Sequence, residues 1–196
     1  MNSAIKNVLC LTIITLVAGV GLGYVYDITK EPIAKMEEET QLKAYRTVFP
    51  DAADFHDAEG VPSVASSSEK GCDIDSVVVA TDSAGSDIGY VVNVTSHEGY
   101  GGDISLSMGI DSSGKVLGVE ILKISETAGL GMKAKEDRFK DQFKDKLVTQ
   151  FTYTKTGATS DFEIDAISGA TITTKAVTNA VNTGLECFAA MGGAGI

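Results

Sequence analysis

Residues 104–124 read Ile104-Ser-Leu-Ser-Met-Gly-Ile110, Asp111-Ser-Ser-Gly114, Lys115-Val-Leu-Gly-Val-Glu-Ile-Leu-Lys-Ile124. Two β-prone runs, 104–110 and 116–124, flank a turn signal at 111–114, which predicts an antiparallel hairpin. Working outward, 77–81, 89–95 and 150–154 are further short β-prone runs in a region rich in Gly, Ser, Asp and Val. Between strands, 133–147 (KAKEDRFKDQFKDKL) reads as helix, with Phe139, Phe143 and Leu147 spaced by four. A last helix is predicted over 173–191, where Val177, Ala180, Val181, Gly184, Leu185 and Phe188 form one apolar face. The soluble part is therefore expected to be α+β, a compact domain with an antiparallel sheet and flanking helices.

The chain has 196 residues, enough for one compact domain with accessories. It carries 16 Lys+Arg against 27 Asp+Glu, a net charge of −11, with no basic cluster. Such a chain gains nothing from counterion release at phosphates, so nucleic acid is excluded as a partner. Cys10 lies in an apolar run, and Cys72 and Cys187 show no metal-ligand spacing; a disulfide between these two is not favoured. His56 and His97 fall in no zinc pattern and read as ordinary surface or loop residues, so no metal site is predicted.

Residues 8–26 (VLCLTIITLVAGVGLGYVY) carry no charge. At the α-helical rise they span about 28 Å, close to the hydrocarbon thickness of a bilayer. This is a candidate transmembrane helix, retained rather than cleaved, because the run is longer than a signal h-region and lacks a small-x-small site before Asp27. Gly19, Gly21 and Gly23 suit close helix approach in lipid, and Tyr24 and Tyr26 sit where an aromatic belt belongs. Lys6 on one side and Lys30 and Lys35 on the other leave orientation open by charge counting. Ile33, Met36, Tyr45, Val48 and Phe49 then recur at helical spacing, predicting an amphipathic stalk that continues from, or kinks at, Pro32 and ends before Pro50. The expected division is 1–7 cytoplasmic, 8–26 transmembrane, 27–50 stalk and 51–196 soluble domain.

The stretch Asp165-Ala-Ile-Ser-Gly-Ala-Thr171-Ile-Thr-Thr leads into the last helix. Gly169 and Ala170 leave Thr171 uncrowded, and the backbone N–H groups and dipole of a helix start suit a phosphate. Simple N-capping by the clustered hydroxyls is the competing reading. A related run, Thr156-Gly-Ala-Thr159, lacks an acidic residue six positions before Thr159, where Tyr153 stands, and no apolar-faced helix follows it. Asp165 stands six before Thr171.

The run DAISGATITTKAV resembles the flavinylation motif of the FMN-binding domain family, found in the G subunit of the Rnf electron-transport complex and the C subunit of the Na⁺-translocating NADH:quinone reductase. The resemblance implies FMN in phosphoester linkage to Thr171, with Asp165, Ser168, Gly169, Ala170 and Thr173 completing the site. Ser125-Glu-Thr-Ala-Gly-Leu-Gly131 is similar to the family's His-x-Glu-Thr-Pro-Gly-Leu-Gly loop, with Ser125 and Ala128 departing from it. On that likeness Glu126, Thr127, Gly129, Leu130 and Gly131 lie at the flavin, Glu126 accepting hydrogen bonds from the ring. Gly99-Tyr-Gly-Gly102 matches a third family segment and brings Tyr100 to the flavin, although a buried or half-buried structural role for this aromatic is expected first.

The resemblance further implies an extracytoplasmic, Mg²⁺-dependent flavin transferase that uses FAD and releases AMP. Thr171 is then a modified residue, and no side chain of this chain acts as an acid or base. The implied function is a membrane-anchored electron carrier in an ion-translocating Rnf-type ferredoxin:NAD⁺ oxidoreductase, partnered by the other membrane subunits and the lipid bilayer. The soluble domain then lies outside the cytoplasm. The C subunit of the quinone reductase, a free-standing anchored flavin reductase and a non-redox tethered binding domain are the alternatives.

Overall fold

A computed structural model describes residues 3–58, 66–67 and 71–192. The chain divides into two compact units, Met1–Thr40 and Gln41–Ile196. Helix α1 (Ser3–Val48) supplies all described residues of the first unit, and its last two turns belong to the second. It is one helical element through Pro32, and every described side chain from residue 3 to residue 40 is exposed. Leu11, Leu16 and Leu22 are among them, so its apolar stretch finds no cover among the described residues; it is long and apolar enough to cross a membrane.

The second unit is built on a six-stranded antiparallel sheet. Strands β3 (Cys72–Thr81), β4 (Asp87–Ser96), β5 (Ile104–Asp111) and β6 (Val116–Lys123) form a meander. Two short strands, β1 (Asp54–Asp57) and β2 (Ser66–Ser67), pair with opposite ends of β3. The predicted hairpin is present, Ser107 facing Glu120 and Met108 facing Val119. Its turn is held by the Asp111 carboxylate, which accepts the N–H groups of Ser113 and Lys115 at 2.9 and 3.0 Å.

Alternation along the strands sends side chains to two different layers. Val92 and Val94 of β4, and Ile104, Leu106, Met108 and Ile110 of β5, pack against α3 (Thr171–Ala190) in the main core. The opposite face meets the end of α1, where Tyr45, Val48 and Phe49 bury against Val78, Ala80 and Val91. Asn93 faces this layer and donates to the Tyr45 hydroxyl at 2.6 Å and to Ser76 Oγ at 2.8 Å, while accepting from Ser107 Oγ at 2.6 Å. Gly109 lies directly under Val48: a Cβ there would stand 2.5 Å from the Val48 carbonyl oxygen, so the helix docks against bare backbone.

Several elements differ from expectation. Residues 133–147 are not one helix but a 3-10 turn (Gly131–Lys135), a short α2 (Asp137–Lys140) and a second 3-10 turn (Asp141–Phe143). Phe139 and Phe143 do pack edge to face at 5.7 Å, but Leu147 is exposed. The chain leaves the helical path at Lys144, which is extended, and beyond Asp145, φ 58°, Lys146 exchanges backbone hydrogen bonds with Val116 on the sheet edge. A continued helix would have left that edge uncovered. The strand expected at 150–154 shortens to β7 (Thr152–Thr154) and pairs in parallel with β8 (Glu163–Asp165), apart from the main sheet. Phe151 turns into the core instead, its backbone N–H and C=O both bonded to the Asn182 amide at 2.7 and 2.9 Å. Cys72 and Cys187 are both buried thiols.

Candidate functional site

Between β8 and α3 the chain makes a small, tightly bonded loop. Ile167 N–H donates to Thr174 Oγ1 at 3.0 Å, Thr174 Oγ1 donates to the Ala170 carbonyl at 3.0 Å, and Ala170 N–H donates to the Ile167 carbonyl at 2.9 Å. Gly169 takes φ 77°, a conformation that favours glycine, with Leu130 beside it. The helix begins at Thr171, two residues earlier than predicted, and its N-cap is Ala170, whose side chain cannot cap. The capping reading of the hydroxyls therefore fails here. Thr171 is half-buried, and its hydroxyl makes no hydrogen bond among the described residues. The N–H groups of the first turn lack a side-chain acceptor at the positive end of the helix dipole, the condition that favours an anion.

Thr171 opens on a cavity of about 640 Å³. Three segments distant in sequence line it: Tyr100 from the loop after β4, Glu126, Thr127 and Leu130 from the loop after β6, and 169–173 at the start of α3. Its size lies in the range of small-molecule and cofactor sites, and its wall combines apolar side chains with a few polar ones. Gly129 and Gly131 do not line the cavity; Gly131 instead lets the loop approach α3 closely, since a Cβ there would stand 2.6 Å from Thr173 Oγ1 and 2.7 Å from the Glu126 side chain. The 125–131 loop is folded on itself, the Thr127 carbonyl accepting from Leu130 and Met132 N–H at 3.1 and 3.2 Å, with Gly129 at its tip.

The Glu126 carboxylate is buried and one of its oxygens accepts the backbone N–H groups of Tyr100, at 2.7 Å, and Gly101, at 3.3 Å. It thus ties two walls of the cavity together. Tyr100 is 73% exposed, which overturns the expectation of a buried structural aromatic: its ring stands uncovered on the rim. Exposed Leu130 and Ile172 share that rim.

Asp165 and Ser168 do not line this cavity. They border a neighbouring hollow of about 360 Å³ with Lys133 and Arg138. The Asp165 carboxylate accepts from Ala158 N–H, and its backbone N–H donates to Gln142 Oε1 at 2.6 Å, so Asp165 anchors the Thr156-Gly-Ala-Thr159 loop. Thr159 is engaged as well: its N–H and hydroxyl both donate to Glu163, at 2.8 and 2.9 Å, which holds the Glu163 carboxyl below its usual range. Thr159 starts no helix.

Sequence reasoning missed the residues around Tyr100. Glu98 accepts from Lys175 Nζ at 3.0 Å and from Asn179 Nδ2 at 2.7 Å, both on α3. Its hydrogen bond to Lys175 lowers its pKa, and the same bond raises that of Lys175. His97 is exposed but bonds through both ring nitrogens, to Asp103 at 2.9 Å and to Asp73 at 3.0 Å; these bonds, Asp103 first, raise its pKa. The i, i+4, i+8 spacing of Thr171, Lys175 and Asn179 was the available signal, placing all three on one stripe of the helix.

A family model described as the FMN-binding domain matches residues 99–186, which include every wall of the cavity. The chain is 36% identical over 189 residues to the G subunit of the Na(+)-translocating ferredoxin:NAD(+) oxidoreductase complex of Acetobacterium woodii, covering 92% of this chain and 89% of that one. It is 34% identical over 176 residues to the G subunit of the proton-translocating ferredoxin:NAD(+) oxidoreductase complex of Clostridium ljungdahlii, covering 90% and 86%. Among solved structures, the C subunit of the Na(+)-translocating NADH-quinone reductase from Parabacteroides distasonis is similar with a TM-score of 0.49 and 24% identity, over 58% of this chain and 60% of that one.

Proposed function

The chain belongs to the FMN-binding G-subunit family of Rnf-type, ion-translocating oxidoreductase complexes, and on that premise we propose that it carries FMN covalently, by a phosphoester to Thr171, as a membrane-anchored electron carrier of such a complex. The observation that carries the reading is the open hydroxyl of Thr171, on a helix start capped by alanine, at the mouth of a cofactor-sized cavity. The residues present fit the group. The first-turn N–H groups and helix dipole suit its phosphate, the loop bonds through Thr174 hold the acceptor segment, and Leu130, Ile172 and Tyr100 offer apolar surface to a planar ring. FMN, once bound, supplies one- and two-electron transfer. This chain supplies position and a low-polarity rim, and no acid–base role is assigned to any of its residues.

A flavin transferase is the maturation partner, and the remaining membrane subunits are the electron-transfer partners. We assign 1–7 to the cytoplasm, 8–26 to the bilayer, 27–50 to a stalk and the remainder to an extracytoplasmic domain, the last turns of the stalk helix packing on its sheet. The alanine cap argues against a site that is only a helix start, and the full-length likeness to G subunits favours that assignment over the quinone-reductase C subunit. The test is ultraviolet fluorescence in a denaturing gel after coexpression with a flavin transferase. The wild-type and Thr159→Ala bands fluoresce and the Thr171→Ala band is dark. A dark wild-type band beside an active transferase overturns the reading.

A further inference from the structure

We propose that Glu98 is a positioning residue that sets the Tyr100 ring against the ligand of the Thr171 cavity, by chaining the 97–102 loop to the same helix that carries Thr171. The inference rests on the proposed function and concerns how the loop serves that site. Three features support it. Glu98 reaches Lys175 and Asn179, one and two turns beyond Thr171 on its stripe of α3, so the loop and the acceptor residue share one rigid support. Two residues on, the backbone of Tyr100 is fixed a second time by Glu126, from the third wall of the cavity. Burial of the phenol among the described residues does not account for this double anchoring: it is 73% exposed on the cavity rim.

An exposed tyrosine on an untethered loop would sample many rotamers and orientations. Anchored at both Glu98 and Glu126, it is presented in one place, which is what an aromatic partner for a planar ligand requires. His97 extends the restraint on the other side of Glu98, through Asp73 on β3 and Asp103 before β5.

Tyrosine in contact with an isoalloxazine quenches its fluorescence: the phenol passes one electron to the photoexcited ring and receives it back, with no net change. The full-length chain, coexpressed with a flavin transferase and purified in detergent, is measured as native flavin emission divided by emission of the same sample after denaturation. The denatured value reports attachment and the ratio reports the ring's surroundings. We expect Tyr100→Leu to raise the ratio several-fold, Glu98→Ala and Lys175→Met to raise it in the same direction, and Glu98→Ala to add nothing in the Tyr100→Leu background. Glu98 and Lys175 are partly exposed, so both variants are expected to fold, and Lys175→Met breaks the chain from the other end. An unchanged ratio in both single variants, or an equal rise with Tyr100 already removed, overturns the inference while attachment stands. Absence of covalent flavin in the wild type overturns the proposed function itself.

Discussion

Gly131 stands where a side chain has no room, because its Cα faces Thr173 Oγ1 and Glu126 together. Gly131→Ala is therefore expected to destabilise the domain by about 1–3 kcal/mol, the usual range for overpacking, read from urea denaturation. A neutral result would mean that the 125–131 loop is free to move off α3. His97 gives a pH-dependent prediction. Its folded pKa is raised above the ordinary 6.5 by Asp103 and Asp73, so its contribution is fully present below 6.5 and is lost as pH rises through the raised value. The melting temperature of wild type should exceed that of His97→Gln near about pH 5.5, and the two should converge in alkali. Gly169 was legible at this scale because its left-handed backbone, φ 77°, is a requirement that its own type announces. His97 and Glu98 were not, since a charged residue reveals its partner only when the sheet brings Asp73, and the helix Lys175, beside it.

Helix α1 and strand β4 share a side-chain hydrogen bond, from Asn93 to the Tyr45 hydroxyl, beside the apolar contacts of their layer. Tyr45 accepts from Gln41 and Asn93, each at 2.6 Å, and burial raises its pKa above the usual phenol value. Tyr45→Phe removes an acceptor shared by two donors, with an expected loss of about 1 kcal/mol in chemical denaturation of the full-length chain in detergent. Asn93→Leu is expected to cost more, because Ser76, Ser107 and Tyr45 each lose a hydrogen bond at once, Tyr45 keeping only that from Gln41. The main strands and the last helix were legible because each has one apolar face of the right period. The 133–147 segment was not: its Phe139 and Phe143 obey helical spacing, yet the demand of the β6 edge for a backbone partner at Lys146 outweighs the last helical turn. Likewise β8 is only three residues long and draws its stability from β7 and Gln142, which no local pattern discloses.

The second compact unit begins at Gln41, and Tyr45, Val48 and Phe49 are the cover of one sheet face. A chain starting at residue 41 should keep a cooperative unfolding transition, whereas one starting at residue 51 forfeits about 2 kcal/mol for each of those three side chains and exposes Val78, Ala80 and Val91. Cooperative unfolding of the shorter chain at unchanged urea midpoint would show that the end of α1 is dispensable. The long apolar helix was legible from its uncharged run alone, but the double use of α1, apolar to the outside early and docked on the sheet late, depends on the bare backbone of Gly109 and on long-range packing. At this scale the chain is a member of an FMN-binding family whose cavity and supporting loops lie within residues 97–186, joined in sequence to a helix long and apolar enough to cross a bilayer. Mass spectrometry of the peptide spanning 156–175, from the full chain coexpressed with an active flavin transferase, tests the central claim. The account predicts an FMN adduct whose fragment ions place it on Thr171; an unmodified peptide, or an adduct on Thr159 or Ser168, would contradict it.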